Sequence, residues 1–212
     1  MKHELRFLNI DANVIKKNLH LLDKKIIKNK VLLRWDSFDY KDKFIRVRDE
    51  GNGNITLTLK TDLDTSQPTS KTIFVNDYFT TVDILNTIDI KSKYRVEKIR
   101  ETWELNNNCV INFDMYPGLP YYMEIKSNNK KTLMALVKKI NLTIDKRKHS
   151  EMGADTMYYD MYNIKNNRPI GDLTFKDAGK IFNKYIKKNK DLFKKILLEQ
   201  TNFLTKSKIS NK

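Results

Sequence analysis

Charged side chains recur at every second position in several short stretches of this sequence. Arg46 and Arg48 alternate with apolar neighbours, as do Lys98 and Arg100, so each pair would share one face of a strand. A guanidinium group binds two phosphate oxygens at once, and an ammonium group adds a compact positive charge. The complete set on such faces holds seven basic and three acidic residues: Glu4, Arg6, Arg46, Arg48, Lys60, Lys98, Arg100, Asp114, Glu124 and Lys126. The net charge of this set, about +4, is similar in size and opposite in sign to that of a triphosphate.

Residues 44–60 are predicted to form a β-hairpin that carries three of these charges. Alternating runs at 44–49 and 55–60 are joined by Gly51-Asn52-Gly53, residues that tolerate the positive φ of tight turns. One face of the hairpin is apolar, and the other is basic and polar. A surface hairpin of no special function has the same pattern, so only its repetition in other segments indicates a functional surface.

The pattern recurs along the chain between segments of helical periodicity. Further strands are predicted at residues 4–10, 31–40, 73–75, 94–105, 110–116 and 121–126. Helices are predicted from Asp11 to about 22, from Asn76 or Asp77 to 88, after Asn128 and Asn129 to 140, and at 155–162, 175–187 and 191–204. Residues 24–30 are predicted to be a basic turn, and residues 61–70 a polar loop. Three strands and a helix thus occur twice, which favours one closed or nearly closed sheet.

The polar strand faces could point to solvent or line the inside of such a sheet. Two observations favour the inside. The predicted helices carry apolar stripes, among them Val14, Leu22 and Ile88, that need an apolar sheet surface to cover. The polar faces also mix acids with Arg and Lys, as a cavity does when it neutralises a ligand. Trp35 is assigned to packing, whereas Asp36 could point to either face.

Composition limits the kinds of partner and site. Among 212 residues 41 are basic and 26 acidic, a net charge of +15, which indicates a polyanionic partner, although Lys-rich segments at 187–195 and 206–212 contribute part of it. The single Cys109 excludes an intrachain disulfide and favours a reducing compartment. No apolar run approaches the roughly 18 residues of a membrane span, so a soluble, cytoplasmic protein without a membrane partner is expected. Walker, GxGxxG, HExxH and CxxC motifs are absent from the sequence.

Four motifs in order resemble those of the CYTH, or triphosphate tunnel metalloenzyme, superfamily. They are Lys2-His3-Glu4-Leu5-Arg6, Arg46-Val47-Arg48 with Lys60, Lys98-Ile99-Arg100, and Asp114 with Pro117-Gly118-Leu119 and Glu124-Ile125-Lys126. The resemblance covers residues 1–175 and ends with Tyr158, Tyr162 and Leu173-Thr174-Phe175. The superfamily includes class IV adenylate cyclases and thiamine, RNA and inorganic triphosphatases.

The resemblance implies an α+β fold: a single eight-stranded antiparallel β-barrel that forms a triphosphate tunnel, with helices packed outside. Residues 1–175 would form this CYTH-like tunnel domain, and residues 176–212 a helical C-terminal extension with a basic tail. The resemblance assigns the triphosphate to Arg6, Arg46, Arg48, Lys60, Lys98 and Arg100. It assigns Mg²⁺ or Mn²⁺ to Glu4, Asp114 and Glu124, of which Asp114 and Glu124 would also be catalytic.

The acidic half of the superfamily pattern is depleted in this sequence. Lys2 and Lys126 stand where the pattern has glutamates, its mid-chain acidic pair falls near Ser70-Lys71-Thr72, and a further acid is replaced near Val110. A lysine at such a position lowers metal affinity and favours a bare polyphosphate. One or two carboxylates can still hold Mg²⁺ together with phosphate and water.

Two main hypotheses follow. The first is a metal-dependent enzyme that hydrolyses a triphosphate or cyclises a nucleotide. The second is a catalytically impaired relative that binds a nucleoside triphosphate, an inorganic polyphosphate or an RNA 5′ end, or that serves as a scaffold. An unrelated basic nucleic-acid-binding domain is a third. The Lys- and Asn-rich composition and the resemblance indicate a virus or an AT-rich microbe, and a viral protein would act in the host or viral-factory cytoplasm. The oligomeric state is left open.

Overall fold

The computed structural model describes residues 3–8, 10–22, 26–61, 69–144, 152–165 and 171–207. Eight strands form a single antiparallel sheet: β1 (His3–Phe7), β2 (Ile27–Tyr40), β3 (Lys43–Asp49), β4 (Ile55–Thr61), β5 (Thr69–Val75), β6 (Ser92–Glu104), β7 (Cys109–Met115) and β8 (Tyr122–Ser127). Their order across the sheet is β1-β8-β7-β6-β2-β3-β4-β5. The predicted eight-stranded antiparallel sheet is therefore confirmed. Within the described part of the chain no ladder joins β1 to β5, so these strands are the two edges of the sheet.

Helices accompany the sheet: α1 (Ala12–Leu22), α2 (Tyr78–Thr87), α3 (Lys130–Lys139), α4 (Ala154–Tyr162), α5 (Ala178–Phe182) and α6 (Lys190–Ser207). Asp11, Asp77 and Asn129 each accept a hydrogen bond from a backbone N–H in the first turn of α1, α2 and α3. Such caps satisfy donors that a helix N-terminus leaves unpaired, which explains why these helices begin where the sequence predicts. None of the described helices combines the length and the apolar character that crossing a membrane requires.

Two strands are longer than the sequence predicts. β2 begins within the predicted basic turn at 24–30, because its first residues pair with β6. β5 begins at Thr69 rather than at residue 73, because Thr69 pairs with Thr61 at the end of β4. Residues 62–68 of the predicted polar loop lie outside the described residues. Pairing with a partner strand decided both boundaries, and the pattern within a single strand does not encode that pairing.

The helix predicted at 175–187 was wrong in extent, since only α5 is helical there. Hydrogen bonds to other elements hold the segments on both sides of α5. The backbone N–H of Phe175 donates to the Glu97 carboxylate at 3.1 Å, and that of Lys187 donates to the Tyr162 carbonyl at 3.1 Å. Tertiary contacts thus override the helical preference of the local sequence.

The apolar faces of the strands lie under the helices. α1 and α3 cover one half of this surface, burying among others Leu19, Trp103, Ile111, Phe113 and Ile125. α2 covers the other half, burying Phe38, Val47, Tyr78 and Val82. The apolar helix stripes were predicted imperfectly, since Val14, Leu22 and Ile88 are 54%, 44% and 60% exposed. The sequence did not decide which face Asp36 points to. It lies on the helix-covered side of the sheet, which we call the outer side, where it accepts hydrogen bonds from Ser92 and Arg95.

α4 and α6 hold the turn between β7 and β8. The hydroxyls of Tyr158 and Tyr162 donate to the carbonyls of Pro117 at 2.7 Å and Gly118 at 2.5 Å. The Gly118 N–H donates to the Gln200 side chain at 2.8 Å. With a φ of 74°, Gly118 has a left-handed conformation that glycine adopts without strain. Because the two strands carry two of the predicted acidic site residues, these helices help to position them.

The C-terminal helices also cover one end of the charged strand faces. Phe182 of α5 and Phe193 of α6 are buried in a cluster that includes Val96 and Tyr122. By strand alternation, Val96 shares a face with Lys98, and Tyr122 shares one with Glu124. The charged surface is therefore bounded on one side by an aromatic wall.

Candidate functional site

Strand pairing places all ten charged residues of the predicted polar strand faces, the nine predicted site residues among them, on one side of the sheet, which we call the polar face. Directly opposed residues of an antiparallel pair point to the same side. The opposed pairs on one half are Glu4 with Lys126, Arg6 with Glu124, Arg100 with Asp114, and Lys98 with Leu33. On the other half they are Arg48 with Trp35, Arg46 with Ser37, and Lys60 with Phe44. Leu33, Trp35 and Ser37 alternate along β2 and connect the two halves.

The charged residues of the polar face fall into two groups separated by β2. The first, which we call the acid–base network, consists of Glu4, Arg6, Lys98, Arg100, Asp114, Glu124 and Lys126. The second, which we call the arginine pair, consists of Arg46 and Arg48. Lys60 lies beside the arginine pair, with its ammonium 6.0 Å from the centre of the Phe44 ring.

Asp114 is the most deeply buried member of the acid–base network, with no exposed surface. Its Oδ2 accepts from Lys98 Nζ at 2.7 Å. Arg100 donates to both oxygens, from Nε at 2.7 Å and from Nη2 at 2.6 Å. Two parallel hydrogen bonds from one guanidinium fix orientation as well as position. Asp114 therefore holds two of the predicted phosphate-binding cations in place.

Glu124 and Glu4 are joined to the network by further ion pairs. Glu124 accepts from the Tyr122 hydroxyl at 2.7 Å, and its other oxygen lies 3.1 Å from Lys126 Nζ and 3.3 Å from Arg100 Nη2. Glu4 lies 2.8 Å from Arg6 Nε and 3.2 Å from Lys126 Nζ. Each of the three predicted acidic residues thus faces at least two cationic side chains.

The network holds Asp114 and Glu124 in the charged form. Burial alone would raise the pKa of Asp114, but Lys98 and Arg100 outweigh burial and lower it. Burial likewise acts to raise the pKa of Glu124, and the Tyr122 hydrogen bond and nearby cations lower it to about 2. Carboxylates that bind protons so weakly are poor general bases at neutral pH. The environment therefore does not favour proton abstraction by Asp114, and the catalytic assignment of Asp114 and Glu124 stays a prediction.

The arginine pair is left with unused hydrogen-bond donors. The Nε atoms of Arg46 and Arg48 are both buried and have no hydrogen-bond partner within the described part of the chain. Arg48 still pairs through Nη2 with Glu50, at 2.8 Å. Burial and the neighbouring Arg48 lower the pKa of Arg46. Buried donors are nearly always paired in folded proteins, so two orphaned guanidinium nitrogens on one face indicate a site for an acceptor such as an anion.

Two aromatic residues lie between the two groups. Trp35 is the strand partner of Arg48, and Lys98 Nζ lies 5.9 Å from the Trp35 ring centre and 5.4 Å from that of Tyr116. Both rings line a cavity of about 280 Å³, together with Arg6, Tyr94, Val96 and Asp155. The assignment of Trp35 to packing was incomplete. The sequence shows by alternation that Trp35 and Ser37 share one face of β2, but it does not show that Trp35 is opposite Arg48 of β3.

The residues present do not fit a divalent cation as they are arranged. Within the described ranges no group of three or more His, Cys, Asp and Glu residues is placed to hold a metal ion. The predicted ligands Glu4, Asp114 and Glu124 face cationic nitrogens rather than one another. The Lys126 ammonium stands between Glu4 and Glu124, within 3.2 Å of both. Lys2, the other lysine that departs from the superfamily pattern, lies outside the described residues.

A family model described as the CYTH domain matches residues 35–158 of the chain. No curated protein matches this chain.

Several solved structures share the fold. The PH1012 protein from Pyrococcus horikoshii OT3 is 19% identical, with 72% of this chain and 99% of that chain covered and a TM-score of 0.53. A conserved hypothetical protein from Pyrococcus furiosus is 16% identical, with 71% and 100% covered and a TM-score of 0.52. A protein provisionally named an adenylate cyclase, from Vibrio parahaemolyticus, is 12% identical, with 71% and 95% covered and a TM-score of 0.53. At these identities the likeness concerns the fold alone.

Proposed function

The chain belongs to the CYTH domain family, and from that premise we propose that it binds a ligand with a triphosphate or longer polyphosphate chain on its polar face. The observation that carries the proposal is the pair of buried Nε donors on Arg46 and Arg48, neither of which has a hydrogen-bond partner among the described residues. Burying such donors without an acceptor costs free energy. A bound anion would recover that free energy, because charge-assisted hydrogen bonds are stronger than neutral ones.

The remaining cations extend the site from the arginine pair towards the acid–base network. Lys98 lies near Trp35, which is the strand partner of Arg48. A polyphosphate that contacts the arginine pair would therefore reach Lys98 and Arg100 by extending across β2, the strand between β3 and β6. The candidate ligands are a nucleoside triphosphate, an inorganic polyphosphate and an RNA 5′ end, because all three carry the same chain of phosphates.

Turnover of the ligand, by hydrolysis or by nucleotide cyclisation with Mg²⁺ or Mn²⁺, is the second candidate. Its support is that Glu4, Asp114 and Glu124 lie on the same face as the proposed phosphate-binding cations. The ion pairs around these carboxylates, and the lowered pKa values of Asp114 and Glu124, favour binding over chemistry.

Calorimetric titration of tripolyphosphate tests the proposal. We expect the Arg46→Met/Arg48→Met variant to lose roughly 100-fold or more in affinity, since each charge-assisted hydrogen bond contributes about 1.5–3 kcal/mol. The same variant should unfold at an equal or higher urea concentration, because methionine needs no hydrogen-bond partner. Phosphate and cyclic nucleotide are assayed in parallel mixtures with ATP and Mn²⁺, and metal-dependent product would support the second candidate.

The matched control is Lys93→Met/Arg95→Met, which removes two positive charges from alternate positions of β6. Arg95 pairs with Asp36 on the outer side of the sheet, and Lys93 is an exposed residue near the start of β6 that pairs with Asp39. Tripolyphosphate affinity should stay within about threefold of the unmodified protein, because long-range charge alone contributes little at physiological ionic strength. Equal losses in the two variants would show that net charge, not the polar face, attracts the ligand.

A further inference from the structure

Lys126 holds two carboxylates from two different strands. It lies on β8, directly opposite Glu4 of β1. Its Nζ is 3.2 Å from an oxygen of Glu4 and 3.1 Å from an oxygen of Glu124. One oxygen of each carboxylate thus faces the Lys126 nitrogen, while Arg6 Nε lies 2.8 Å from the other oxygen of Glu4 and 3.6 Å from the other oxygen of Glu124.

This convergence is the arrangement in which a small hard cation would otherwise be expected. Two carboxylates repel each other unless a positive charge lies between them, and Mg²⁺ is commonly held by one or two carboxylates together with phosphate and water. The ammonium already supplies that charge, and the chain holds it there through the β1–β8 pairing. Bringing in a divalent ion would require the lysine to leave, because both would compete for the same oxygens.

An ammonium group has one more donor than these two carboxylates use. It carries three N–H groups and accepts no hydrogen bond. With two of them directed to Glu4 and Glu124, the third can meet a ligand oxygen. The side chain is partly exposed, at 29% of its full surface, so the nitrogen is accessible from the polar face.

We propose that Lys126 is a resident cation that takes the place of a divalent metal ion on the polar face. A phosphate ligand would then meet the ammonium directly, and binding would need no metal. The second part rests on the proposed polyphosphate binding, whereas the first part concerns Glu4, Lys126 and Glu124 alone and can be tested without any phosphate.

Binding of Mn²⁺ alone, followed by electron paramagnetic resonance of the free ion, tests the first part. Lys126→Glu replaces the ammonium by a third carboxylate and should bind Mn²⁺ at least roughly tenfold more tightly than the unmodified protein. Lys60→Glu changes the net charge equally, but its strand partners are Phe44 and Ser70, so it should gain less than about threefold. Equal Mn²⁺ affinity in the unmodified protein and Lys126→Glu, or equal gains in the two variants, would overturn the inference.

Lys126→Met keeps the test decisive if the glutamate variant fails to fold, as judged by circular dichroism. Methionine removes the ammonium from between the two carboxylate oxygens that do not face Arg6, so Mn²⁺ affinity should again exceed that of the unmodified protein. An unchanged affinity in a folded Lys126→Met protein would show that the two carboxylates do not form a latent metal site.

Tripolyphosphate titration of the unmodified protein, in EDTA and then in excess Mn²⁺, tests the second part. Affinities within about threefold of each other are expected if the ammonium already does what the metal would do. Binding that requires Mn²⁺ would overturn the role of Lys126 while supporting polyphosphate binding. No binding under either condition would refute the proposed function, and the Mn²⁺ measurements would still decide whether Lys126 occupies a cation site.

Discussion

Two kinds of positive side chain occupy the polar face, and they differ in whether a carboxylate already pairs with them. Lys98 and Arg100 are engaged by Asp114, so they are fixed before any ligand arrives. Arg46 has no such carboxylate partner within the described residues, and its Nε is orphaned. We infer that the paired cations supply position, whereas the arginine pair supplies the larger gain on binding, because its two Nε atoms break no hydrogen bond to a described residue when they bind a ligand.

Glu124 connects this charge arrangement to stability. We expect Glu124→Gln to be less stable than the unmodified protein at pH 7, by an amount on the order of 2–3 kcal/mol, and the difference to shrink as the pH falls. Burial opposes ionisation of Glu124, but Tyr122 and the neighbouring cations lower its pKa to about 2, from an ordinary value of 4.5. A carboxylate with a lowered folded-state pKa stabilises the fold above its unfolded pKa and loses that effect as the pH falls through its folded pKa.

Urea unfolding of the two proteins between pH 7 and pH 2 gives the measurement. The difference in unfolding free energy should be constant down to about pH 5 and should close between about pH 4.5 and pH 2. A difference that does not change over this range would mean that Glu124 is not held by charge in the folded protein.

At the scale of elements, the β7–β8 turn is where the C-terminal helices meet the site. Tyr158 and Tyr162 of α4 and Gln200 of α6 all hydrogen-bond to backbone groups of this turn. Because α4 and α6 both hydrogen-bond to this short turn, their positions also fix the ends of β7 and β8. The placement of Asp114 and Glu124 therefore depends on helices far along the chain.

Gly118→Ala tests this contact. A Cβ at Gly118 would lie 2.2 Å from Phe193 Cε2, and the positive φ adds strain, so we expect a loss of about 2 kcal/mol or more in unfolding free energy. Gly53→Ala is the matched control, because Gly53 also has positive φ but no atom within 4 Å of the added carbon. Urea unfolding of both variants separates backbone strain from the clash with α6. Equal losses would mean that α6 does not press on the turn.

At the scale of the whole molecule, the C-terminal segment is packed against the predicted tunnel domain. Phe182 and Phe193 lie after residue 175, the predicted boundary, and both are fully buried with Tyr158 and Tyr162. Two ring contacts cross the boundary, Tyr158 stacked on Phe182 and Tyr162 edge-on to Phe193. The division at residue 175 stays a prediction, and these contacts argue that the two parts depend on each other.

Ending the chain after Phe175 should expose this aromatic cluster. Each large apolar side chain that loses its cover forfeits about 1.5–3 kcal/mol, so we expect a loss of at least about 3 kcal/mol in unfolding free energy. Dye binding to exposed apolar surface and urea unfolding of the shortened protein provide the measurement. A fragment with unchanged stability and no dye binding would establish residues 176–212 as a separable extension.

Much of the fold could be predicted from the sequence because its signals are local. Alternation over two residues assigned Arg46, Arg48, Lys98 and Arg100 to one kind of face, and Asp11, Asp77 and Asn129 marked helix starts by chemistry that operates within one turn. The ordered motifs indicated the CYTH family, which the family model then confirmed. These features need only neighbours in the chain, so no tertiary information is required to find them.

Only the tertiary structure decided how these charges are used. The sequence could not show that Lys126 lies between Glu4 and Glu124, that Trp35 is opposite Arg48, or that α5 is short. Strand register and ion pairing depend on residues from different strands, and a shift of one residue would move every side chain to the other face. The residue types on the polar face were therefore determined by the sequence alone. Which of them are already paired, and which are left for a ligand, was determined by the sheet that brings distant strands together.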